Sequence, residues 1–244
     1  MSIFTTFSKS CLGLILILFL FFSTSSAYSQ GRLYYSQTEL EMIFSYADLS
    51  NEGQSSSDSP VRWSPVLNIH THYHFDFNRH FGLFTGLGVK NMGFIASYPD
   101  IKQRRKHRTY NLEIPIALKL GRLNKWHFYG GYSFEVPIHY KEKLFLNGEK
   151  ESVRRHWFSD RAPRLMHGLF AGVVFPSGTH LKVQYYLNNF LNKDFETVDL
   201  DGNILRPYEG ISANVWAISL NFPLTKNNKF YYQKPPTYQA SLNY

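Results

Sequence analysis

Across residues 110–140 the chain alternates, position by position, between apolar and polar side chains. Tyr110, Leu112, Ile114, Ile116, Leu118 and Leu120 share one face; Asn111, Glu113, Pro115, Ala117, Lys119 and Gly121 share the other. After the polar break GRLNK, Trp126, Phe128, Gly130, Tyr132, Phe134, Val136, Ile138 and Tyr140 resume the apolar series, with His127, Ser133, Glu135 and His139 opposite. A period of two sends successive side chains to opposite faces of a strand, so these runs predict an antiparallel hairpin. Each run is longer than the about 5–6 residues of an ordinary strand. Each reaches the roughly 9–11 residues with which a tilted strand crosses a bilayer.

The same alternation recurs along the chain, predicting strands over residues 38–47, 63–77, 81–94, 165–175, 181–189 and 211–222. The run at 165–175 alternates least clearly. With the central hairpin these make an eight-stranded antiparallel up-and-down barrel. The connections alternate long and short: 48–62 and the basic segment SYPDIKQRRKHR are long, as are 141–164 and the polar stretch through Asp201–Gly202–Asn203. Asn78–Arg79–His80, GRLNK and Pro176–Ser177–Gly178 are short. Transmembrane barrels have short periplasmic turns and longer extracellular loops, and this layout puts both chain ends on the periplasmic side.

Parity alone does not say which face points outward, because a soluble ligand-carrying barrel would place the apolar face inside. Three features favour apolar outward. Trp63, Tyr110, Trp126, Tyr140 and Trp216 lie on the apolar faces, as interfacial anchors do. The polar faces combine small residues such as Gly82, Gly86 and Gly88 with long charged ones, which suits a narrow lumen filled by side chains. The strands are also longer than a soluble calyx requires. The lumen is expected to hold a polar network of His70, His72, His74, Lys90, Glu113, Lys119, Glu135 and Lys182. If Leu120 pairs with Trp126, Glu113 and Glu135 become diagonal neighbours.

The chain opens with Lys9 as its only early charge, then the apolar run CLGLILILFLFF and small residues through STSSAYSQ. This order is that of a secretory signal peptide over residues 1–29, cleaved after Ala27 or Ser29, the run being too short for a helical span. Residues 30–223 form the barrel domain and 224–244 a periplasmic tail. Cys11 is the only cysteine, so the mature chain has no thiol for disulfides, iron–sulfur ligation or nucleophilic attack. The formal charge of +8 suits the anionic surface of the outer membrane better than nucleic acid, given export. The expected partners are therefore outer-membrane lipid and other envelope or secretion proteins met through loops or tail.

The segment YNLEIPIALKLG resembles the Y-L-E-I-P-L-L-L-K motif of the PorT-like outer-membrane β-barrel family, with Leu112–Glu113–Ile114–Pro115 and Leu118–Lys119 matching in place. Asn111 is inserted after the tyrosine, and Ala117 replaces a larger residue. The resemblance implies an integral outer-membrane barrel. The family's namesake is tied to type IX secretion, but the motif belongs to the wider family.

Catalytic signals are weak. Alternate His70, His72 and His74 beside Asp76 are ligand types, but next neighbours along a strand lie about 6.6 Å apart, at roughly 3.3 Å rise per residue. Lumen hydrogen bonding accounts for them. Glu113 and Glu135 could do acid–base work, yet an ion network with Lys90, Lys119, Lys182 or His127 is the simpler reading. His156, Ser159 and Asp160 are the residue types of a lipid-modifying enzyme without its His-x-Ser-Asn spacing. No phosphate-cradle or zincin motif is present. The reading is a non-catalytic outer-membrane barrel with no metal and no cofactor. The alternatives are an outer-membrane lipid-modifying enzyme and a soluble periplasmic ligand-binding barrel.

Overall fold

The computed structural model describes residues 33–51, 58–123, 125–198 and 201–224. The expected signal peptide and the tail from 225 onward lie outside the described residues. In chain order the strands are β1 (Leu33–Asn51), β2 (Arg62–Ser64), β3 (Ile69–Asp76), β4 (Phe81–Tyr98), β5 (Gln103–Gly121), β6 (His127–Leu146), β7 (Glu149–Trp157), β8 (Met166–Val174), β9 (His180–Tyr186), β10 (Thr197–Val198), β11 (Ile204–Leu205) and β12 (Ile211–Pro223). All neighbouring pairs are antiparallel, and β12 pairs back onto β1 from Glu39↔Pro223 to Asn51↔Ile211, closing the ring.

Two positions in the ring are filled by broken strands. The segments β2 and β3 succeed one another along β1, separated by a kink at which Leu67 takes a positive φ of 63°. The segments β7 and β8 likewise succeed one another along β6. Counting each broken strand once gives an eight-stranded antiparallel barrel. Closure matters physically, because an open edge would leave backbone groups unpaired in hydrocarbon.

The alternation is realised with the apolar face outward. Along β5, Leu112, Ile114, Ile116, Leu118 and Leu120 are exposed, Ile114 by 46%, whereas Asn111, Glu113, Ala117 and Lys119 are buried, Glu113 being 1% exposed. The same holds on β3, where Ile69 and Tyr73 face out and His70, His72 and His74 face in. A water-soluble barrel of this composition would expose its carboxylates and lysines and bury its leucines. This is a transmembrane barrel.

Three expectations are corrected. First, the basic segment 97–108 and much of 141–164 are strand. The β4 strand runs to Tyr98, turns through Pro99–Ile101, and returns as β5 from Gln103; β6 runs to Leu146 and β7 follows after two residues. The link is a tight turn with Asn147 at φ 52° and Gly148 at φ 87°, the two left-handed residues a twisted hairpin requires. High charge marks these stretches as loop, but a strand shows apolar–polar alternation only where its two faces meet different surroundings.

Second, the central hairpin has a different register. Leu120 pairs with Phe128 rather than Trp126, because Trp126 belongs to the turn, its O accepting from Arg122 N at 3.0 Å. Glu113 therefore stands directly opposite Glu135.

Third, Tyr140 is not an interface anchor. The β5–β6 register shifts at Tyr110/Asn111, where Asn111 pairs with Pro137 and Tyr110 with His139. Ile138 is the extra residue of a bulge, which reverses the parity of everything after it. Tyr140 is thus turned inward and is 1% exposed. Trp63, Trp126 and Trp216 do face outward, and Tyr110 lies part-exposed on the same face.

Candidate functional site

The lumen holds a continuous chain of charged and polar groups, built by the inward faces of the strands. At the end with the short turns, Lys119 pairs with Asp76 and places its Nζ 3.1 Å from His74 Nδ1 and 3.3 Å from Tyr35 Oη. One level up, Glu39 on β1 holds His180 Nε2 at 2.6 Å and His72 Nδ1 at 3.5 Å, and His180 Nδ1 meets Tyr129 Oη at 2.7 Å.

The middle of the lumen is the most tightly connected. Glu41 takes Lys182 at 2.7 Å and the Ser219 hydroxyl at 2.5 Å on one oxygen, and His70 Nε2 at 2.8 Å on the other. The second nitrogen of His70 lies 3.1 Å from Glu113. Neither approach to His70 has hydrogen-bond angles, so these are close contacts rather than hydrogen bonds. Lys90, with 0% exposure, then joins Glu113 at 3.0 Å to Glu135 at 3.1 Å and donates to Gln184 Oε1 at 2.5 Å. Glu135 is completed by Asn111 at 2.7 Å, Tyr186 at 2.7 Å and Gln184 Nε2 at 3.0 Å. Lys90 answers the problem posed by the register: two carboxylates directly opposite each other repel, and one ammonium between them offsets both.

All eight of the sequence-expected lumen residues, His70, His72, His74, Lys90, Glu113, Lys119, Glu135 and Lys182, line this interior. Glu39, Glu41 and His180 are also central, and sequence reading missed them. The signal was present, since Glu39 and Glu41 alternate with the apolar Leu40 and Met42. Among the described residues, two triads bring ligand atoms within 4.8 Å of one another: Glu39/His72/His74 and Glu41/His70/Glu113. Both suit ion pairing better than coordination. Lys182 and Lys90 already offset the carboxylates of the second triad. In the first, Lys119 can only donate to His74 Nδ1, which obliges Nε2 to carry the proton rather than a free lone pair.

Above this network an apolar core caps the lumen. Ile43, Met92, Phe94, Met166, Phe190 and Tyr208 pack inside the end of the barrel that carries the long connections. Tyr140 is its polar hub, with its hydroxyl 2.8 Å from His107 Nδ1, 3.2 Å from Tyr208 and 3.4 Å from Glu142. Arg161 donates to Tyr208 at 3.1 Å. The residue types considered for lipid chemistry do not converge: Ser159 Oγ accepts from Arg161 N, Asp160 pairs with Arg164, and His156 is exposed on β7.

No protein-family model matches the chain, and no curated protein matches it. Among solved structures it is similar to Ail, the attachment invasion locus protein of Yersinia pestis, at 12% identity over 79% of this chain and 99% of that one, with a TM-score of 0.33. It is similar to Neisserial surface protein A (NspA) at 11% identity over 79% and 98%, with a TM-score of 0.35. The outer membrane protein OprG from Pseudomonas aeruginosa is similar at 11% identity over 79% and 96%, with a TM-score of 0.35.

Proposed function

We propose that this chain is an integral outer-membrane barrel of PorT-like type that acts as a structural or protein-interaction component of the envelope and performs no catalysis. The observation that carries this reading is the lumen itself. Lys90, Glu113, Glu135 and Glu41 are buried and locked to one another, and an apolar cap covers one end. A narrow barrel filled in this way offers no wide aqueous path. Its usable surface is then the part that rises above the membrane: the sheet of β4 to β7 and the segment carrying β10 and β11. Export by a signal peptide cleaved after Ala27 or Ser29 belongs to the same reading, and secretion-associated envelope proteins are the partners considered.

The test is cell fractionation with co-purification. The protein should be found in outer membranes after carbonate washing and should migrate differently in detergent gels before and after boiling. Replacing residues 141–157 by a short turn should abolish recovery of envelope partners while that heat-dependent shift persists. Recovery in the washed periplasmic fraction refutes the membrane assignment. An altered lipid A profile in a deletion strain refutes the non-catalytic one.

A further inference from the structure

If residues 111–121 of β5 and 127–137 of β6 span the bilayer, strands β4 to β7 continue beyond it as a four-stranded sheet. The bulge at Ile138 decides what its outward face carries. With parity reversed, Lys141 and Lys143 of β6 join Arg104, Lys106 and Arg108 of β5 on the face continuous with lipid-exposed Leu112 and Val136. The register sets Lys106 opposite Lys143, Arg108 opposite Lys141, and Arg155 of β7 beside Lys141. Like charges directly opposite one another destabilise a sheet, so folding alone gives no reason for this pattern. Glu142, the acid next to these lysines on β6, is turned to the other face, where it meets Arg105 at 3.7 Å.

Of these cations, Lys106, Arg108, Lys141 and Lys143 line a cleft of about 180 Å³, closed on one side by Arg62 and Trp63. Among the described residues that line it there is no carboxylate. Arg62 is 5% exposed, and among the described residues its guanidinium donates to neutral oxygens of Asn91 and Ser64, the shortest at 2.6 Å. Burial, and then the neighbouring Arg104 and Lys143, push the Lys106 ammonium below its ordinary pKa; burial followed by Arg155 does the same at Lys141. Among the described residues the cleft gathers part-buried positive charges around the buried Arg62, with no carboxylate lining it.

Its position along the strands gives the counter-charge a source. Immediately below the cations a row of rings crosses three strands: Tyr110 with His139 at 5.5 Å and His139 with Trp157 at 4.7 Å. Below that row lie the lipid-facing aliphatics. Apolar, aromatic, then cationic is the order of acyl chain, interface and headgroup. We infer that this cleft binds the phosphate of an anionic lipid in the outer leaflet, held between Arg62 and the Lys106–Lys143 and Arg108–Lys141 pairs. The inference rests on the outer-membrane reading above. Arginine offers a planar fork to phosphate oxygens, and lysines offer point charges around it. Trp63, exposed on the outer face beside Arg62, flanks the headgroup on the acyl side.

The full-length barrel, refolded into detergent and titrated by native mass spectrometry, should be offered bisphosphorylated lipid A, the same lipid after enzymatic removal of its phosphates, and inorganic phosphate. The wild type should prefer the phosphorylated lipid by about tenfold or more, and Lys106→Gln/Lys141→Gln should reduce that preference to about twofold, since each cation near an anionic surface adds several-fold to binding. Lys143→Gln, a milder change on an exposed strand, should give an intermediate ratio if the double variant does not fold. A wild-type ratio near one, or a ratio unchanged in the variants, overturns the site. Displacement of the lipid by equimolar inorganic phosphate overturns the lipid assignment. The same protein is offered liposomes in parallel, and protein that enters them yet fails to discriminate refutes this site alone. Protein that never enters them refutes the membrane reading as well.

Discussion

Lys90→Met tests the lumen most directly, because it removes one ammonium from between two carboxylates while keeping an unbranched side chain only one atom shorter. Lys90 is fully buried and contacts Glu113 at 3.0 Å, Glu135 at 3.1 Å and Gln184 at 2.5 Å. After the substitution Glu135 keeps Asn111, Tyr186 and Gln184 as donors, but Glu113 keeps only His70. The two carboxylates then face one another across a directly paired position, where Cα atoms stand about 4.5–5.5 Å apart. Removing one partner of a buried ion pair costs about 3–5 kcal/mol, and that is the loss expected here. Lys90→Met/Glu113→Gln removes both the cation and one of the repelling charges. It should therefore be more stable than Lys90→Met alone by about 1–3 kcal/mol, a coupling typical of groups in one network. Urea unfolding in lipid vesicles, followed by tryptophan fluorescence and by heat-dependent gel mobility, would measure both. A loss below about 1 kcal/mol for the single variant, or a double variant less stable than the single, refutes the account of Lys90 as the ion that holds Glu113 and Glu135 together.

Other expectations concern facing, space and the cap. Ile116→Arg should cost about 2–4 kcal/mol in vesicles if it meets hydrocarbon, whereas Ile116→Leu should be nearly neutral. Ala117→Leu, one residue on, should cost about 1–3 kcal/mol because its site is packed by Phe84, Tyr129 and Phe170; equal responses to leucine at the two positions contradict the facing. Gly88→Ala would drive a methyl into the His70 ring, and a loss of about 1–3 kcal/mol by urea titration is expected from such overpacking. Tyr140→Phe removes the hydroxyl that joins His107, Tyr208 and Glu142. A cost of about 1 kcal/mol should appear as faster proteolysis of the cap with heat-dependent mobility unchanged, and wild-type proteolysis rates would refute the role of that hub.

Much of this architecture is written locally. Alternation at Leu112–Glu113–Ile114 and at Ile69–His70–Thr71 states strand, length and the two faces, because a pleated strand has no other period. The aromatics and the glycine-with-lysine lumen state which face meets lipid. The short turns at 78–80 and 176–178 are legible from their residues. Three things were decided only in three dimensions. Which residues of two strands stand opposite one another depends on turn geometry: the chain pattern is unchanged by a slip of two residues, so the direct Glu113–Glu135 pairing, and hence the need for Lys90, could not be read from it. A bulge is one residue without a sequence signature of its own, yet the one at Ile138 turned Tyr140 from membrane anchor to hub of the cap and brought Lys141 and Lys143 onto the outer face. Charged strands surrounded by water carry no apolar alternation to announce them, so the sheet above the membrane read as loop. Periodicity reports where a strand meets two different solvents; register, bulges and pairing in a single solvent are settled by contacts between distant parts of the chain.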